Sequence, residues 1–399
     1  MIFKRKLYDK LLVWKQQTAG TKALLIEGAR RIGKSTLVEE FAKNEYRSYL
    51  MIDFNKVSDS VISAFNNYMN DLDTFFLILS SEYGVRLYPK ESIIIFDEIQ
   101  QFPKARQAIK YLVADGRFDY IETGSLISIK ENVNDITIPS EERTLLMYPM
   151  DFEEFAWAMN EEPLMAYIRQ CFDKKVPLEQ GIHAKAMLLF RQYMIVGGMP
   201  KSLSAYLENN RSFEMADMEK RDILTLYRND IKKIKSGYRS SVLSIFDQIP
   251  AFLSRSERRV VMNRIEKGAS FPKYHDTFFW LSDSMIANEC FNCSDPNVGL
   301  SLNEDRTYVK CYMGDTGLLI SHTFDENEIS DGELYREILL GKLSVNEGMF
   351  YENVIAQMLV AAGHKLYFYT RYNQEKHRND MEIDFILSNH SKLRYKIFP

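Results

Sequence analysis

The stretch ALLIEGARRIGKSTLVEEFAK, residues 23–43, narrows the possible folds more than any other part of the chain. Ala23 to Glu27 form a short apolar run suited to a buried strand, and from Ser35 onward Leu37, Phe41 and Ala42 fall at helical spacing. Between them stands Gly28-x4-Gly33-Lys34-Ser35, the phosphate-loop pattern in the strand-loop-helix setting that gives it meaning. Gly28 and Gly33 let the backbone turn so that successive amides point at a phosphate, which also sits on the positive end of the new helix. Lys34 supplies a point charge to β- and γ-phosphates, and the Ser35 hydroxyl suits Mg²⁺. The expected contacts to ATP are Gly28, Ala29, Arg30, Arg31, Ile32, Gly33, Lys34, Ser35 and Thr36.

A second motif turns binding toward hydrolysis. In SIIIFDEIQ, Ile93 to Phe96 make an apolar run expected to be a central parallel strand ending in Asp97 and Glu98. Asp97 is placed to hold the Mg²⁺ shell with Ser35, and Glu98 to orient and deprotonate water. Ligands of open parallel sheets gather at such strand ends, so the two motifs can converge. FDYIETGS reads as a further strand whose Thr123 or Ser125 stands where a γ-phosphate or water could be sensed; a hydroxyl-rich turn is the plainer alternative. PKARQAIKYLVADG, with Pro103 at its start and Gly116 past its end, predicts a crossover helix. From about Leu24 to Met150 strand and helix alternate, which predicts a parallel sheet with helices on both faces.

The strings EGARRIGKST, SIIIFDEIQQFPKARQAIKYLV, IETGSLISIKENV, YPMDFEEFAWA, YMIVGGMPKSL, RDILTLYRNDIKK and CYMGDTGLLI together resemble the AAA-type ATP-binding proteins of bacteria and archaea whose C-terminal domain of unknown function is similar to the restriction-endonuclease fold. The resemblance runs through nearly the whole chain. It implies a P-loop Mg-ATPase, a winged-helix-like middle and an α/β nuclease-like tail. The expected division is 1–158 for the ATP-binding domain, 159–235 for a helical linker, 236–300 for the winged-helix-like region and 301–399 for the tail. Within the third of these, YHDTFFWLSDSMIANEC reads as a helix with turn-rich FNCSDPNVG behind it.

Charge sets limits on the partners. The chain has 399 residues and a formal net charge of -4, so contact with double-stranded DNA would need a local basic patch. Arg228, Lys232, Lys233, Lys235, Arg258, Arg259 and Arg264 are candidates, although Asp230, Glu257 and Glu266 interrupt them and a solvated charged face explains them as well. Self-association or a protein partner is the other possibility. The N-terminus MIFKRKLYDKLLVW lacks the continuous apolar core of a signal peptide, and no apolar run approaches a membrane span. Four cysteines fit reduced thiols in the cytoplasm. Cys290 and Cys293 have a metal-pair spacing but no second pair at matching distance, and the histidines form no ligand pattern.

The tail carries one more constellation. Glu347 to Ala362 reads as a helix ended by Gly363, followed by an aromatic strand from Lys365 and by a strand from Met381 to Leu387. In the nuclease-like fold that the resemblance implies, a helix Glu and a strand Asp hold Mg²⁺ beside a Glu-x-Lys. Glu352 and Asp384 fit the first two places, whereas Arg394-Tyr395-Lys396 offers no third. The tail is therefore expected to be truncated and without nuclease activity. The leading expectation is ATP hydrolysis driving a conformational change in the attached domains; the alternative is an ATP-switched nucleic-acid- or protein-binding module with little turnover.

Overall fold

A computed structural model describes residues 1–125, 139–234, 239–255, 258–260, 271–296, 299–325, 332–342, 347–373, 378–387 and 396–398. The chain divides into two compact units, Met1–Tyr148 and Pro149–Pro399.

In the first unit, helix α1 (Lys6–Gln17) is followed by β1 (Ala23–Glu27), α2 (Lys34–Glu45), β2 (Ser48–Asp53), α3 (Asp59–Asn67), α4 (Leu72–Tyr83), β3 (Ser92–Asp97), α5 (Pro103–Asp115), β4 (Asp119–Gly124) and β5 (Glu142–Leu146). The strands form one parallel sheet in the order β2-β3-β4-β1-β5. Burial of every residue of β3 explains its unbroken apolar run, since a parallel strand covered on both faces has no polar side. Alternate residues serve different faces. Leu25, Leu50, Ile52, Ile94, Phe96 and Tyr120 pack with the apolar sides of α3, α4 and α5 in a core rich in phenylalanine. Edge-to-face contacts such as Phe65 with Phe75 and Phe76 with Phe118 knit that core. The punctuation of α5 follows its sequence: Pro103 opens it, and Gly116 closes it at φ 70°.

The second unit is helical up to its sheet, with helices at Phe152–Ala158, Glu162–Lys174, Gln180–Val196, Pro200–Glu208, Phe213–Lys232, Arg239–Leu253 and Phe271–Asp283. Its sheet is mixed, in the order β10-β9-β8-β6-β7, built from β6 (Ala287–Cys293), β7 (Glu304–Met313), β8 (Leu366–Asn373), β9 (Arg378–Leu387) and β10 (Lys396–Phe398). Among the described residues of this sheet, only β6 and β8 run parallel. The helix Glu347–Ala361 precedes β8, and Gly363 at φ 87° follows it.

One expectation fails here. Residues 287–293, read from the sequence as the end of a helix and the start of a turn-rich stretch, are instead an internal strand. The run ANECFNC is too short for its period to separate the two states, and its pairing with β7 and β8 decides the outcome. Lys235, Glu257, Arg264, Glu266, Arg394 and Tyr395 lie outside the described residues.

Glycines let two distant segments of this unit meet backbone to backbone. A Cβ on Gly198 would lie 2.2 Å from the Met150 carbonyl oxygen, and one on Gly317 would lie 2.6 Å from Gly197 Cα. Asp315 fastens the junction: its carboxylate accepts from the Gly198 amide at 2.6 Å, the Leu318 amide at 3.0 Å and the Gln357 side chain at 3.2 Å. The motifs VGGMP and MGDTG are thus two halves of one structural joint.

Candidate nucleotide site

The carboxyl ends of β1, β3 and β4 bring the predicted residues together. Because β4 lies between β1 and β3, its Thr123 stands beside both the phosphate loop and Asp97. Ser35, at the start of α2, donates its hydroxyl to Asp97 Oδ1 at 2.8 Å, and Thr123, with no solvent exposure, donates to the same oxygen. One carboxylate oxygen thus gathers a hydroxyl from α2 and another from β4. Ser125 is buried just past β4.

Lys34 opens α2 behind Gly33, whose φ of 92° is a conformation that disfavours any side chain. The Lys34 ammonium, 7% exposed, turns back on its own loop and donates to the carbonyls of Gly28 at 3.0 Å and Ala29 at 2.8 Å. Burial pulls its pKa down to about 8, against the upward pull of Glu98 and Asp97. Gly28 is required for a reason the sequence did not reveal: its φ is ordinary, but a Cβ there would lie 2.4 Å from the Met147 carbonyl oxygen. Ile32 is buried, Arg30 half-buried, and Arg31 and Thr36 are exposed.

Glu98 follows β3 in the left-handed region, φ 55° and ψ 46°, which costs a non-glycine residue about 1 kcal/mol or more and re-aims the chain just after Asp97. Its carboxylate accepts a hydrogen bond from the Gln100 amide.

Two features of this unit escaped the sequence. Arg5 is buried and its guanidinium donates to the Ile32 carbonyl at 3.0 Å and the Tyr148 carbonyl at 2.6 Å, bracing the phosphate loop. Arg106 grips Glu142 through two bonds of 3.0 and 2.7 Å, beside fully buried Glu122. Burial first, and then the charge of Glu142, push the Glu122 carboxyl well above its usual range. A Glu inside YIETG was the available signal for the second; a lone Arg near the N-terminus gave none for the first.

In the second unit Glu352 and Asp384 do meet, and they meet on Lys310. Its ammonium is 3.1 Å from Glu352 Oε1, 2.9 Å from Asp384 Oδ1 and 3.2 Å from Glu382 Oε1. Three of the basic candidates are engaged with acids: Arg228 pairs with Asp247 at 3.0 Å and Asp325 at 2.8 Å, Lys233 with Asp230 at 3.2 Å, and Arg258 with Glu352, while the Arg259 guanidinium lies 5.2 Å from the centre of the Tyr308 ring. Cys290 and Cys311 are buried free thiols that burial pushes above the ordinary thiol range. Among the described residues no group of three or more His, Cys, Asp or Glu side chains could hold a metal, and no helix is long and apolar enough to cross a membrane.

Residues 187–328 match the family model of a domain of unknown function, DUF8612. No curated protein matches the chain. Among solved structures, the chain is similar to Hsp104 with ATPγS and FITC casein at 12% identity and a TM-score of 0.32, over 73% of this chain and 52% of that one. It therefore spans about half the length of that relative. It is also similar to AMPPCP-bound DnaA from Aquifex aeolicus, at 10% identity, 71% and 90% coverage and a TM-score of 0.27. Aeropyrum pernix Orc1 in complex with DNA gives 9%, 82% and 93%, and 0.29. Residues 20–156 match the family model described as an AAA domain, and the phosphate loop and parallel five-stranded sheet of that stretch are arranged like those of P-loop ATPases.

Proposed function

We propose that the chain is a Mg²⁺-dependent ATPase whose turnover changes the conformation of the second unit. The observation that carries the reading is the convergence of Ser35 and Thr123 on one oxygen of Asp97, beside a phosphate loop whose lysine bonds to loop carbonyls. Those carbonyls are weak holders of an ammonium, and a triphosphate offers Lys34 stronger, charged acceptors. Gly33 and the amides at the start of α2 cradle the phosphates. Ser35 and Asp97 are the oxygen donors for Mg²⁺, a hard cation that such a pair suits. Bound there, Mg²⁺ would neutralise charge developing on the phosphates. Glu98 takes the proton of the attacking water, and Thr123 stays on Asp97 and reads the occupancy of the site.

Action on double-stranded DNA is the finer version of this reading, and pairing of Arg228, Lys233 and Arg258 with acids weakens it. A switch that binds ATP and rarely turns it over is the alternative. Steady-state hydrolysis with and without duplex DNA separates them, with Glu98→Gln as the control. Wild type is expected to turn ATP over while the variant binds ATP and turns it over about 10²-fold more slowly. Equal rates for the two proteins would move the base elsewhere, and no turnover in either condition would favour the switch.

A further inference from the structure

The resemblance to a nuclease-like tail implies a divalent cation held by Glu352 and Asp384, and their surroundings do not fit one. We propose that the ammonium of Lys310 is the resident cation of this cluster, and that Glu352, Glu382 and Asp384 consequently take no divalent metal.

Three strands of observation converge on this. First, the ammonium is surrounded by negative charge: it donates to Asp384 Oδ1 at 2.9 Å and to Glu352 Oε1 at 3.1 Å, and forms an ion pair with Glu382 Oε1 at 3.2 Å. Secondly, these are ammonium distances. Mg²⁺ binds oxygen at about 2.0–2.1 Å and Ca²⁺ at about 2.3–2.6 Å, so a metal would have to draw the carboxylates inward through the volume that Nζ fills. Thirdly, Glu352 has little left to give: Tyr312 donates to Oε1 as well, and Arg258 pairs with Oε2. Two cations thus face three carboxylates, before any ion is added.

The topology explains how the lysine gets there. Residues Glu382 and Asp384 lie on one face of β9 because side chains alternate along a strand. Glu352 comes from the helix Glu347–Ala361, and Lys310 from the buried half of β7. Lys310 is 0% exposed, and its ammonium lies 5.1 Å from the centre of the Phe368 ring. A cation so enclosed needs all of its partners, and the partners need it.

Mn²⁺ in nucleotide-free protein, followed by electron paramagnetic resonance, tests this on the full chain. Wild type and Asp384→Asn are expected to bind the same number of equivalents. Lys310→Ala is expected to gain one, which the double variant with Asp384→Asn loses again, and its thermal midpoint should rise with Mn²⁺ concentration. An equivalent lost from wild type on Asp384→Asn overturns the proposal. So does a folded Lys310→Ala that binds no more Mn²⁺ than wild type. Should Lys310→Ala fail to fold, the comparison of wild type with Asp384→Asn, which leaves the lysine in place, decides alone.

Discussion

Lys34 and Lys310 are both withdrawn from solvent, 7% and 0% exposed, yet their hydrogen bonds run to different kinds of acceptor. Lys34 is held by two neutral carbonyls of its own loop, while Lys310 is held by carboxylates from a helix and a strand far away in sequence. The difference lies in what can be exchanged. A carbonyl can surrender an ammonium to a phosphate at a net gain, because a charged acceptor makes the stronger bond. Three carboxylates have no better cation to turn to unless the lysine leaves. The first lysine is therefore suited to receive a ligand, and the second to act as one.

The contrast can be broken at either end. The largest effect is expected at Lys310: replacing it with Met leaves three acids without their central cation and should destabilise the second unit by about 3–5 kcal/mol. Chemical denaturation read on that unit measures it, and a loss under about 1 kcal/mol would mean that the carboxylates are largely neutral or hydrated. The same replacement at Lys34 should act the other way round. ATP binding should weaken by roughly 10²-fold or more in calorimetry, while the nucleotide-free protein, relieved of a buried ammonium, should melt no lower than wild type. Unaltered ATP affinity in that variant would remove Lys34 from the site.

A smaller effect sharpens the comparison through pH. Burial holds Lys34 at about 8, below its ordinary 10.5, and a polyphosphate beside it favours the charged form. Binding should then take up a proton, so affinity is full below about pH 8 and falls as pH rises above it, by up to about tenfold per unit. Without nucleotide the sign for folding is opposite: the unfolded chain binds more protons between about 8 and 10.5, so stability is lost as pH falls through that window. Calorimetry at about pH 8.5 in buffers of different ionisation enthalpy reads the uptake directly. An affinity that is flat from about pH 7 to 9.5 would show that Lys34 carries no such shift.

How much of this was legible depended on distance along the chain. Gly33, Lys34 and Ser35 are read from consecutive residues, and Asp97 from the apolar run that delivers it, since a buried parallel strand announces both itself and its end. Thr123 was legible as a hydroxyl at a strand end, but its acceptor was not, because that requires the placement of β4 between β1 and β3. Arg5 reaches residues 27 and 143 positions away and leaves no local trace. Lys310 did leave one: a lysine inside the apolar TYVKCYM is a buried charge in need of partners. Which partners only the sheet order can say. The same order overturned the reading of residues 287–293, whose strand character comes from its neighbours.

The joint between Gly197-Gly198 and Asp315-Gly317 bears on how the second unit could be cut. A protease or a gene engineer dividing the chain near residue 300, at the boundary expected between the winged-helix-like region and the tail, would part β6 from β7 and leave Asp315 on a different fragment from the amide it holds. Each piece would then carry half of a close-packed backbone contact that no side chain can fill. A cut between Gly198 and Asp315 is therefore expected to cost both fragments their packing, which favours handling the unit Pro149–Pro399 as a whole.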